Sequence, residues 1–271
     1  MICIIGVNEI ATAAAITCFH SGQRVWLYSR NGDMPLRYQV TFAEAIHQDV
    51  KTVENVTASL LPPELLSEQS GTQAERLAAA TRFLWQDRKL PLLYQIDFET
   101  AREALQPEVI IDTEPGDPVS RIDQAALVIG LHPGHRAGEH CHLSIAGELN
   151  YHLGRICLPG NELPSPAADK HFFNDPFAYC QTPLEGLWVA LKSPGEEVRY
   201  QEALGKVNDI EIRSPYDGQI WGICHSGRFM PARSSVAQIY QGPASDAYRD
   251  LGFREKAIAR AMLEAVLCYK Q

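Results

Sequence analysis

The chain has 271 residues, 45% hydrophobic and 21% charged, a globular balance with apolar mass for one large domain or two smaller ones. Its net charge of -9 argues against nucleic acid or an anionic membrane as the main partner. Seven cysteines (Cys3, Cys18, Cys141, Cys157, Cys180, Cys224 and Cys268) are odd in number, widely spaced and free of any CxxC pair, which predicts reduced thiols in a cytoplasmic protein. No apolar run reaches the roughly 18 residues of a membrane span, and no signal peptide is expected.

The first elements read as a βαβ opening. Ile2–Ile5 is an apolar run of strand length that meets Gly6. An Ala-rich stretch follows with Ile10, Ala13, Ala14, Thr17 and Cys18 at helical spacing, stopped by Ser21-Gly22. "RVWLYS" is the second strand, and a continuous apolar strand suits a parallel sheet buried on both faces. The alternation then continues through "FAEAIHQ" (helical), "VKTVENV" (strand-like) and a Pro-containing loop from Leu60 to Gly71. "TQAERLAAATRFLWQDR" is a helix with Leu77, Ala80, Phe83 and Leu84 on one face. "LPLLYQI", "FETAREALQ", "EVIIDT" and "AALVIGL" read as strand, helix, strand and strand, so residues 1–158 are expected to form a Rossmann-like α/β domain.

Residues 159–183 are proline-rich and read as a linker. Beyond them, Gly186–Val207 aligns without a gap on Gly218–Ile239, each unit following a Pro-x-x-Gly turn. Gly195 falls on Gly227, Leu204 on Val236, and Val207 on Ile239. One such unit cannot bury its apolar face alone, so two are expected to pack about a pseudo-two-fold in a β-domain over 184–242. The pattern resembles the barrel-sandwich of biotinyl and lipoyl carriers. The turn near "VNDI" holds no lysine (Lys206 precedes Val207), so neither covalent biotin nor lipoate is expected. Residues 243–271 close the chain with a helix whose stripe is Ala257, Ile258, Ala261, Met262, Ala265 and Val266.

Three places carry candidate chemistry. Gly6-Val7-Asn8-Glu9-Ile10-Ala11 sits where the G-x-G-x-x-G/A dinucleotide fingerprint would, with Asn8 in place of the middle glycine and Arg30 after the second strand, where it would meet a 2′-phosphate. It is read either as an NAD(P)-binding turn of an oxidoreductase or as a Rossmann-like turn that has lost its nucleotide. "GLHPGHRAGEHCH" crowds His132, His135, His140, Cys141 and His142 into eleven residues, a candidate transition-metal set of N and S donors. The same stretch carries Gly130, Pro133, Gly134 and Gly138 with Arg136, which is the make-up of a loop that grips an anionic ligand, or of a plain structural turn. Asp112 ends a strand at the edge where α/β sheets place ligand-binding groups, or equally forms the turn before Pro115-Gly116.

Together these segments resemble the selenium-dependent molybdenum hydroxylase system accessory proteins. The similar places are "GVNEIATA", "LRYQVTFAEAI", "VIGLHPGHRAGEHCHLSIAG" with "LGRI", the late "SPYDG" module, and the terminal helix. The chain departs from that pattern at Asn8, Ala13, Tyr38, His132, His135 and Glu139-His140, and keeps Gly130, Pro133, Gly134, Gly138, Cys141 and His142. The resemblance implies a role in maturing a molybdenum hydroxylase client, with molybdenum cofactor or a related anion as ligand. On that expectation the Gly130–Gly138 loop holds the ligand while a deprotonated Cys141, beside His142, touches the reacting atom. A non-catalytic binding scaffold is the remaining alternative, and a homo-oligomer is expected.

Overall fold

In the computed structural model of the chain, the residues described are 1–32, 34–61, 71–161, 163 and 176–269. They fall into two compact units, one of Met1–Asp33, Phe42–Phe173 and Gly252–Gln271, the other of Met34–Thr41 and Asn174–Leu251. Much of the Leu60–Gly71 loop and of the proline-rich 159–183 stretch lies outside the described residues.

The larger unit is built on one nine-stranded sheet. β1 (Ile2–Ile5) pairs in parallel with β2 (Val25–Ser29) on one side and with β6 (Val109–Asp112) on the other. Outward from β2 come β5 (Leu90–Tyr94), β4 (Val56–Leu60) and β3 (Val50–Val53). Outward from β6 come β7 (Leu127–His132), β8 (Leu143–Ala146) and β9 (Ile156–Cys157). Only β3 and β9, at the two edges, run antiparallel to their neighbours. All residues of β1, β2 and β6 are buried, as a doubly covered parallel strand requires. The chain leaves β1 in opposite directions, so the topological switch point lies between β1 and β6.

Local chemistry explains the helices. α1 (Glu9–His20) has Asn8 as its N-cap and buries eight of its residues, more than one face, because α5 (Phe253–Tyr269) lies against it. Alanines at 11 and 13–15 allow that close approach. α2 (Ala45–Gln48) follows a 3-10 turn over Phe42–Glu44. α3 (Gln73–Gln86) opens on a capping box in which Thr72 and Glu75 bond each other's backbone. Its buried stripe is Leu77, Ala80, Thr81 and Leu84, while Phe83 points outward at 62% exposure, against the expectation that it shared the buried face. Position 83 lies one residue, about 100°, off the 77/80/84 stripe. α4 (Phe98–Leu105) is capped by Asp97 through the Thr100 N–H. "VKTVENV", expected as one strand, is a hairpin: Glu54 and Asn55 both take positive φ, the geometry of a tight two-residue turn, and the chain reverses from β3 into β4.

The smaller unit holds two four-stranded antiparallel sheets. Its strands are β10 (Phe177–Gln181), β11 (Gly186–Ala190), β12 (Glu197–Val198), β13 (Ala203–Val207), β14 (Ile210–Arg213), β15 (Gly218–Ile223), β16 (Arg228–Met230) and β17 (Ser235–Tyr240). The orders are β10-β17-β15-β12 and β14-β13-β11-β16. Placing the first sequence repeat on the second turns one order into the other, with β12 and β16 exchanged between halves. The core joins equivalent positions of both repeats: Trp188 and Ile220, Leu204 and Val236, Val207 and Ile239. Trp188 donates to the Cys224 carbonyl at 3.0 Å, and its ring lies over Gly205, where any Cβ would collide with it.

Candidate functional site

Three loops converge where the parallel strands end at the switch point: those after β1, β2 and β6. Gly6 has φ +110, and a Cβ there would lie 2.5 Å from Thr113 Oγ1, so this position requires glycine. The Thr113 hydroxyl donates to the Ile5 carbonyl at 2.9 Å. Asn8 uses both ends of its side chain: Oδ1 accepts from Ala11 N–H at 2.9 Å, capping α1, and Nδ2 donates to the Thr113 carbonyl at 2.9 Å. Ala11 is fully buried. The carboxamide therefore occupies the helix terminus where a pyrophosphate would approach the backbone, which is the geometry of a self-capped helix start.

On the outer side of these loops, Arg30 Nε stands 3.7 Å from the Glu114 carboxylate, with 45% and 23% of the two side chains exposed. Burial pushes the Glu114 carboxyl above its ordinary value; the Arg30 guanidinium pulls it back, and the charge of Asp112 adds to the rise.

Inward of this pair lies a buried polar centre. Asp112, Arg121 and His135 are each 4% exposed. Arg121 Nε donates to Asp112 Oδ2 at 2.8 Å, and Asp112 Oδ1 accepts from Glu114 N–H at 3.1 Å. His135 Nε2 stands 3.6 Å from Asp112 Oδ2, just beyond hydrogen-bond reach. Burial raises the Asp112 pKa, but His135 and Arg121 together outweigh it and hold the carboxyl below its ordinary value. Arg121 also reaches Gln124 Oε1 at 3.1 Å and lies 4.6 Å over the Phe98 ring.

The histidine-rich stretch is divided among several partners. Gly130 carries no Cβ because His135 Cβ fills that space, with Cys141 Sγ 3.0 Å from where it would stand. The glycine admits the chain's own side chains where a ligand was expected. Gly138, at φ +82, backs onto Pro159, while Pro133 and Gly134 are exposed. Arg136 makes an exposed pair with Glu139 at 3.5 Å. His140 Nδ1 accepts from Arg136 N–H at 3.1 Å, and its ring meets His135 edge-on at 6.4 Å between centroids. His132 ends β7, half-buried, its pKa lowered by burial with Glu148 opposing. Among the described residues no group of three or more His, Cys, Asp or Glu is placed to hold a metal ion, so the donor set expected of His132, His135 and His140 is not assembled. His142 holds β7 instead: its ring Nδ1 accepts from the Val128 backbone N–H at 3.0 Å, and the His142 backbone N–H donates to the Val128 carbonyl at 2.9 Å. Cys141 is fully buried, and burial pushes its thiol up to about 11. At neutral pH the proton stays on the sulfur, contrary to the deprotonated Cys141 of the expected mechanism.

Sequence reasoning pointed to Asp112, Asn8 and Arg30 but missed Arg121, Thr113 and Glu114. Glu114 and Thr113 follow the strand whose end was singled out. Nothing around "VSRIDQ" marks Arg121, whose role exists only once the loop folds back onto β6.

No family model matches the chain. Among curated proteins it is similar to "Uncharacterized protein YqeB" of Escherichia coli (strain K12), 22% identical over 270 residues, covering 98% of this chain and 47% of that protein. The chain thus spans about half the length of the curated relative it matches. Among solved structures it is similar to a succinylglutamate desuccinylase/aspartoacylase from Rhodobacter sphaeroides, 28% identical over 23% of this chain and 21% of that one, with a TM-score of 0.20. A putative succinylglutamate desuccinylase/aspartoacylase family protein from Shewanella amazonensis SB2B is 10% identical, covering 88% and 90%, at a TM-score of 0.26. The product-bound ectoine utilization protein EutE (DoeB) from Ruegeria pomeroyi is 13% identical, covering 88% and 84%, at 0.24.

These findings overturn the assignment to the selenium-dependent molybdenum hydroxylase accessory family: the similar solved structures are desuccinylase/aspartoacylase-type proteins. The maturation role and the selenium link fall with it. At TM-scores of 0.20 to 0.26, no activity passes from those structures to this chain. What stands is a mixed α/β chain: a large, mostly parallel sheet, two antiparallel sheets and a closing helix. Among the described residues no helix is long and apolar enough to cross a membrane.

Proposed function

We propose that the larger unit binds a small zwitterionic metabolite, carrying one carboxylate and one ammonium, at the mouth between the loops after β1, β2 and β6. The observation that carries this reading is the Arg30–Glu114 pair. The two charges face each other at 3.7 Å, too far for a hydrogen bond, and both are partly exposed at the switch point of an open parallel sheet. A ligand with both charges would displace this contact and exchange partners with it: Arg30 takes the carboxylate, Glu114 the ammonium, and no charge is left without a partner. Asn8 already occupies the end of α1, which disfavours phosphorylated ligands.

The test is calorimetric titration of the protein with a panel of amino acids, beginning with glycine as the smallest zwitterion. Arg30→Ala and Glu114→Gln should each weaken whatever binds. If no amino acid binds at millimolar concentration, the reading is wrong.

For the smaller unit, the mirrored sheet orders support a barrel-sandwich of the carrier-domain kind. Its β13–β14 hairpin turns on Asn208-Asp209, and Lys206 pairs with Glu211 at 3.5 Å.

A further inference from the structure

We propose that Asp112 is the positioning residue of the mouth, setting the place of Glu114 through the hydrogen bond from the Glu114 backbone N–H. This inference rests on the zwitterion reading of Arg30 and Glu114 and adds the device that holds one of the two.

The chain of contacts is direct. Glu114 lies in a loop rather than a helix or strand, so no ladder fixes its backbone. Two bonds do so instead. Its N–H donates to Asp112 Oδ1 at 3.1 Å, and the preceding carbonyl, that of Thr113, accepts from Asn8 Nδ2 at 2.9 Å. Asp112 is itself held: it ends a fully buried strand, and its other oxygen takes the Arg121 Nε–H at 2.8 Å. Arg121 is in turn fixed by Gln124 and by the Phe98 face. A buried ion pair is a poor source of net stability, because desolvation offsets most of its attraction. Its worth here is geometric. One carboxylate oxygen anchors to a guanidinium while the other reaches forward to the residue at the mouth. The charge of Asp112 also reaches Glu114, raising that carboxyl's affinity for a proton.

Asp112→Asn separates the two effects, since it keeps an oxygen for the Glu114 N–H and removes the charge. Asp112→Ala paired with Arg121→Met removes the oxygen and both charges without leaving a buried ion alone. Glycine affinity and the Glu114 side-chain carboxyl shift would be followed against pH by calorimetry and carbon-detected NMR on the full chain. Asp112→Asn should bind glycine within about threefold of wild type, with the acid limb of the binding profile and the Glu114 titration both displaced to lower pH. The double variant should bind about tenfold more weakly, the scale of one lost hydrogen bond. Wild type that ignores glycine and the other amino acids sinks the zwitterion reading itself. Wild type that binds, with a folded double variant of equal affinity and an unmoved Glu114 titration in Asp112→Asn, overturns the positioning role alone.

Discussion

Arg121 Nε and Asp112 Oδ2 meet at 2.8 Å with both side chains almost wholly shielded from water. Removing one partner leaves the other as an uncompensated buried charge. Arg121→Met should cost about 3–5 kcal/mol, and adding Asp112→Asn should recover a large part of it. Urea denaturation of wild type, single and double variants checks both; a single variant within about 1 kcal/mol of wild type would show that the pair is solvated, as the ~0–1 kcal/mol of exposed pairs implies.

The same pair fixes a pH dependence. The folded-state pKa of Asp112 lies below its ordinary 3.8, so its stabilising contribution is complete above that value and lost as pH falls through the folded value. Stability relative to Asp112→Asn/Arg121→Met should therefore be level from pH 5 to 7 (about a unit above the ordinary carboxyl value) and decline below about pH 4. Denaturation midpoints measured across that range would show a parallel course if Asp112 were not ionised in the folded protein.

Six of the seven cysteines are buried and one, Cys268, is exposed. Burial pushes the thiols of Cys141, Cys180 and Cys224 up to about 11. The native protein at neutral pH should release one equivalent of chromophore quickly from a disulfide reagent, and seven after guanidinium denaturation. A second fast equivalent abolished by Cys141→Ala would mean that the loop over Gly130 opens readily.

In the smaller unit, Gly205→Ala forces a methyl group into the Trp188 ring. Overpacking of this kind costs about 1–3 kcal/mol, and the fluorescence of a tryptophan fully buried in wild type should shift to the red. An unchanged midpoint and spectrum would place the ring elsewhere.

Much of this architecture was legible because period and composition report it directly. Ile2–Ile5, "RVWLYS" and "EVIIDT" are buried on both faces and carry long apolar runs, so those runs mark strands. The terminal stripe from Ala257 to Val266 marks α5 in the same way. The repeat was legible because equivalent core positions, Trp188 with Ile220 and Leu204 with Val236, need apolar residues at equal spacing. The hairpin at Glu54-Asn55 was not, since neither residue is the glycine that usually signals two positive φ angles. The histidines are a different case. Composition gathers them in one stretch, but each ring is claimed by a separate partner: His142 by Val128, His140 by Arg136, His135 by the Asp112 region. A cluster in sequence becomes a shared site only when the backbone turns the donors toward one point. Of these rings, only His135 is turned toward the Asp112 carboxylate.

The packing of α5 on α1 has a consequence during synthesis. α1 leaves the ribosome Ala-rich and apolar on most of its circumference, while its cover lies about 230 residues downstream. At translation rates of about 5–20 residues per second, α1 waits on the order of ten seconds to a minute for that cover. During this interval an apolar helical surface is open to chaperones and to other nascent chains, so the yield of folded protein should respond to chaperone supply far more than the stability of the finished molecule does.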